Sequence, residues 1–161
     1  MARFKETKKK EVGERFRVGE KALEQSQKNV QELSKISEIM NQLDVADDTD
    51  LKVIEDTKAT YIKEGDKAQQ EVEKQLENVD SEVKNINREI SEEKRKVEDA
   101  KKGADSMKRI SDIGASAAEA ASTEFANSIA EYGKMEEENV SKVEVLKAQE
   151  NAHKQVISSL F

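Results

Sequence analysis

The chain has no cysteine, no proline, no tryptophan and a single histidine, and aromatic residues occupy only 4% of its 161 positions. Without cysteine there is no disulfide, no thiolate nucleophile and no thiolate metal ligand, although this absence leaves the redox compartment open. Without proline, no residue locks a turn or blocks a helix from within. No stretch approaches the roughly 18 consecutive apolar residues of a membrane-spanning helix. The first residues, MARFKETKKK, lack the apolar core of a secretory leader. The expectation is a cytoplasmic protein, or one exported without a cleaved signal peptide.

What the chain does have is charge. Asp, Glu, Lys and Arg make up 39% of it, with 35 acidic against 28 basic side chains and a net charge of −7. Typical domains carry roughly 25% charged residues, and a chain dominated by Ala, Glu, Lys, Leu and Arg reads as long helix or coiled coil. Leu, Ile, Val and Phe number 34, just above the roughly 20% below which highly charged chains tend to remain disordered. Such a chain can bury seams but not a thick core.

Apolar positions from Val12 to Leu43 recur at three and four through Phe16, Leu23, Val30, Leu33, Ile36 and Met40, one face of an amphipathic helix over 12–44. Gly19 and Ser26 thin the first half of that stripe. The turn-forming cluster Asp44-Val-Ala-Asp-Asp-Thr-Asp50 ends it. A second helix is expected over 51–109, with a regular heptad seam through Val72, Leu76, Val79, Val83, Ile86, Ile90, Glu93, Val97, Ala100, Ala104 and Met107. The run SDIGAS marks a second reversal, and Ser116 with Glu119 has the spacing of a capping box. A third helix is expected over 116–160.

Helices joined by short loops fold back antiparallel. The predicted fold is all-α: an elongated antiparallel three-helix bundle or coiled coil spanning 12–161, preceded by a flexible basic tail, 1–11. If the first helix starts at Val12, it reaches back only to about residue 84 of the second. The end around 86–130 is then a two-helix hairpin, in which Phe125 lies near Val97 and Tyr132 near Ile90. That geometry leaves Ile86, Ile90, Phe125 and Ile129 partly open to water and makes them the predicted partner-binding residues.

No catalytic residue, metal ligand or cofactor is expected. Asp44–Glu55 has acids where a calcium-binding loop places several ligands, but Ala46 stands where an oxygen ligand is needed and Thr49 replaces the turn glycine, so an acidic capping turn is the simpler reading. His153 has no companions for metal binding or base catalysis and reads as a packing residue. Arg3, Lys5, Lys8, Lys9 and Lys10 give the tail a surface for weak contact with an acidic membrane. Net negative charge, with only Phe4 among these cations to stack a base, argues against nucleic acid.

Gly133 interrupts the third helix directly after Tyr132, and Tyr132-Gly-Lys-Met-Glu136 has the form Tyr-x-x-x-Asp/Glu. With the all-helical, cysteine-free, leaderless architecture, this motif resembles helical substrates of type VII secretion systems, of the LXG-type and Trp-X-Gly superfamily. The chain has Asp112-Ile-Gly114 at the reversal where that superfamily carries its Trp-X-Gly turn. The resemblance implies an export motif at Tyr132 and Glu136 and a leaderless substrate or targeting domain, the N-terminal part of a larger toxin. The residues themselves support a non-catalytic module that binds a protein partner, or itself, by coiled-coil-type packing.

Overall fold

The computed structural model describes residues 2–43, 48–110 and 114–160. They form three helices, α1 (Ala2–Gln42), α2 (Asp48–Ile110) and α3 (Ala115–Leu160). No strand occurs among the described residues, and the fold is an all-α helical bundle. By contacts the chain divides into two compact units, Met1–Arg15 with Ser81–Val143 and Phe16–Asp80 with Glu144–Phe161, so every helix contributes to both.

In the second unit α1 and α2 run antiparallel, with Leu33 facing Gly65, and α1 and α3 run parallel. The core is Phe16, Ala22, Leu23, Leu33, Val72, Leu76, Val79 and Leu146, all buried. A Cβ on Gly19 would stand 2.8 Å from Leu146 Cδ1 and 3.5 Å from Leu76 Cδ2. Glycine here lets the α1 backbone sit directly on those leucines. Across the same unit runs a polar layer contributed by all three helices. The Ser26 hydroxyl, fully buried, donates to Gln69 Oε1 at 3.4 Å, and Gln69 Nε2 donates to Glu150 Oε1 at 2.8 Å. His153 Nδ1 lies 2.9 Å from Ser26 Oγ. Ser26 is thus paired twice, to Gln69 and to His153; a buried hydroxyl left with neither would cost about 1–3 kcal/mol.

In the first unit the core is Val12, Val83, Ile86, Ile90, Val97, Ala104, Ala118, Tyr132, Met135 and Val143. Polar pairs hold α2 and α3 in register: Asn139 Nδ2 donates to Asn87 Oδ1 at 2.8 Å, Ser91 Oγ to Glu136 Oε2 at 3.0 Å, and Ser122 Oγ to Asp105 Oδ1 at 2.6 Å. These pairs shift Phe125 and Tyr132 by more than one turn relative to the expected partners Val97 and Ile90.

Residues 2–11, expected as a flexible tail, are instead the first turns of α1. Phe4 packs on Tyr132, and Lys8 is half-buried between Glu11 and Glu89, to both of which it donates. An apolar period was hidden because Lys8 occupies a core-facing position with its aliphatic stem while its ammonium reaches out to carboxylates. Those hydrogen bonds, Glu89 foremost, raise the Lys8 pKa although burial works against them.

The heptad seam of α2 is buried from Val72 to Val97, except at half-buried Glu93, and again at Ala104, but Ala100 is exposed and Met107 is 59% exposed. Ser116 lies inside α3, not at its cap; the helix opens with Ala118 N–H donating to the Gly114 carbonyl at 2.9 Å. Lys108 and Arg109 close α2, where cations suit the helix dipole. Of the calcium-loop-like segment, residues 44–47 lie outside the described residues, whereas the part from Asp48 to Glu55 is α-helix and does not form a ligand loop.

Candidate interaction site

The predicted partner-binding residues do not form an open surface. Ile90 is fully buried and Ile86 is 8% exposed, while Phe125 and Ile129 are half-buried. The physical reason is the longer α1. Its first turns lie along α2 and α3, as Lys8 bonded to Glu89, Lys5 bonded to Glu131 and Arg15 Nε 2.9 Å from Glu82 demonstrate. The seam expected to be two helices wide is therefore three helices wide at this level.

Tyr132 and Glu136 are equally absorbed into the first unit. The Tyr132 side chain is 1% exposed and its ring meets Phe4 edge-on, 5.9 Å between centroids at 82°. Burial raises its phenol pKa, with the negative charges of Glu93 and Glu131 adding to the effect. Glu136 accepts from Ser91, its carbonyl accepts from Asn87 Nδ2 at 3.3 Å, and its Oε1 is buried without a partner. At Gly133 an added Cβ would meet only Lys94 Nζ at 3.8 Å, so no tight helix contact explains that glycine. Of the basic residues near the N-terminus, Lys5 and Lys8 are engaged in ion pairs within the unit, and Lys5 lowers the Glu131 pKa by its hydrogen bond and charge.

The open apolar surface lies instead in the second unit, at the α1–α2 end. Ile36, Ile39 and Met40 of α1, with Leu43 directly after its end, face Val53, Ile54, Thr57 and Tyr61 of α2 across a groove of about 320 Å³. The four residues from Ile36 to Leu43 fall at i, i+3, i+4 and i+7, the spacing by which a helix seeks another helix. Yet Ile39 is 57%, Leu43 48% and Val53 59% exposed. Ser37 Oγ donates to the Leu160 carbonyl at 3.1 Å, so the last described turn of α3 lies beside Ser37. Beyond it, two helices of this unit face each other with no third among the described residues.

Sequence reasoning passed over Ile39, Leu51 and Val53. The signal was present: apolar residues double up at Ile39-Met40 and Val53-Ile54, making a face wider than the seam between two helices uses. Among the described residues no group of three or more His, Asp or Glu side chains is placed to hold a metal ion, and no helix is long and apolar enough to cross a membrane. The groove lining is apolar apart from Thr57 and Tyr61. No protein-family model matches the chain, and neither a curated protein nor a solved structure matches it.

Proposed function

We propose that the chain is a non-catalytic helical interaction or assembly module that binds a protein through helix-on-helix packing at the α1–α2 groove. The supporting observation is the contiguous stripe Ile36, Ile39, Met40 and Leu43 facing Val53 and Ile54 with no third helix over it among the described residues. Apolar area left open in this way is worth about 25 cal/mol per Å² once covered, and contiguous exposed patches mark interaction surfaces more often than scattered residues do. The test is a photo-reactive amino acid at Val53, with the protein in its own cells. A covalent adduct with another protein or with a second copy, lost when Leu43→Asp is added, supports the module. A chain that yields no adduct at Val53 overturns it.

A further inference from the structure

We infer that the buried polar layer of the second unit is a one-way hydrogen-bond circuit that holds His153 with its ring proton on Nδ1, and that the negative charge of Glu150 sets its direction. The circuit leaves and rejoins one turn of α3. His153 meets Ser26 of α1, Ser26 meets Gln69 of α2, and Gln69 returns to Glu150, three residues before His153. Which nitrogen of a neutral imidazole carries the proton is set by the partners around the ring.

The carboxylate of Glu150 fixes the direction. An ionised carboxylate only accepts, so its 2.8 Å contact with Gln69 is made by the amide nitrogen. The Gln69 amide oxygen is thereby turned toward Ser26 Oγ, 3.4 Å away, and Ser26 is its only donor among the described residues. Gln69 is buried, so water does not readily take over that role. A serine hydroxyl has one hydrogen to give. Spent on Gln69, it leaves the 2.9 Å contact between Ser26 Oγ and His153 Nδ1 in need of a hydrogen from the ring. With the ring proton on Nε2 instead, the fully buried Ser26 would face two acceptors with one hydrogen, and one acceptor would go without a donor.

Loss of that negative charge reverses the circuit. An amide at position 150 donates as well as accepts. It can donate to Gln69, whose own amide turns over and donates to Ser26, and Ser26 then donates to His153 Nδ1. The ring proton moves to Nε2, the form a histidine side chain favours in water. The change needs only one amide rotation and one swing of a hydroxyl hydrogen. Glu150 is thus a positioning residue that acts on His153 through Gln69 and Ser26.

The chain has a single histidine, so nuclear magnetic resonance of the full chain, isotope-labelled at its histidine nitrogens, reads both ring nitrogens of His153 with no ambiguity of assignment. Spectra are taken where the ring's own titration shows it to be neutral. In the unaltered protein the protonated nitrogen is expected to be Nδ1 and the bare nitrogen Nε2. Ser26→Ala removes the acceptor, and Glu150→Gln removes the charge; each is expected to move the proton to Nε2 in the majority of molecules. Gln69→Met, which frees the Ser26 hydrogen for His153, is expected to do the same and serves if either other variant fails to fold. A proton on Nε2 in the unaltered protein overturns the circuit, and that spectrum needs no variant. Retention of the proton on Nδ1 in Ser26→Ala or Gln69→Met also overturns it, because some other group would then hold the ring. Retention in folded Glu150→Gln overturns the part assigned to Glu150.

Discussion

The Phe4 ring stands edge-on to the Tyr132 ring, 82° between planes and 5.9 Å between centroids, with the Lys8 ammonium 5.5 Å from the other member of the pair, Phe4. A residue four from the N-terminus thus covers the largest fully buried side chain of the first unit. Edge-to-face pairs contribute about 0.5–1.5 kcal/mol beyond the area they bury. Phe4→Ala is expected to destabilise the protein by about 1–3 kcal/mol in urea unfolding. Tyr132→Ala is expected to cost more, about 3–5 kcal/mol. A double-mutant cycle between the two positions should return a coupling near the pair energy, and additive losses would show that the rings do not support each other.

Two glycines that look alike in the sequence should respond in opposite directions. A Cβ at Gly103 meets nothing within 4 Å, whereas one at Gly19 presses on Leu146 and Leu76 in the core. Gly103→Ala is expected to raise stability by about 0.5–1 kcal/mol through helix propensity alone. Gly19→Ala is expected to lower it, because buried leucines must leave their packed positions and that exceeds the propensity gain. Midpoints of chemical unfolding for the two variants decide the matter.

Ser26→Ala removes a hydroxyl that donates to Gln69 and lies beside His153. Gln69 is itself buried, so its carbonyl oxygen loses its donor where water does not readily replace it. The expected loss is about 1–2 kcal/mol. A loss within a few tenths of zero would mean that the layer contributes no net stability.

Stability should fall on both sides of neutrality for identifiable reasons. The hydroxyl of Ser122 and the ammonium of Lys101 hold the Asp105 pKa below its usual value. A depressed carboxylate stabilises the fold above its unfolded pKa and loses that contribution as pH falls through the folded value. Ser122→Ala should therefore flatten the acid limb of a stability–pH curve. Tyr132 is shifted the other way, upward by burial. Its contribution is complete below about pH 10 and is lost as pH rises through the folded value, and Tyr132→Phe should flatten the alkaline limb.

Much of the fold is legible in the residues. The seam from Val72 to Val97 repeats without a slip, and the two reversals fall where turn-forming residues cluster, so three antiparallel helices follow from spacing alone. The start of α1 is not legible in that way. In KETKKK the core-facing position is a lysine, and its role depends on Glu89, 81 residues away in the chain. That one boundary moved the expected interaction surface. Extending α1 to Ala2 covers Ile86 and Ile90, while the stretch of the second unit with no third helix among the described residues lies past the level at which α3 meets Ser37. Residue spacing within a helix reports which face is apolar, but only the alignment of all three helices reports which stretch of that face lacks a neighbour.

Methyl chemical shifts recorded while a helical peptide carrying a leucine stripe is added distinguish the two surfaces most directly. Shifts concentrated at Ile36, Ile39, Met40, Leu43, Val53 and Ile54, with Ile86 and Ile90 unmoved, are the expected result. Shifts centred on Ile86, Ile90 and Ile129, with Ile39 and Val53 unmoved, would contradict the assignment of the α1–α2 groove as the interaction site.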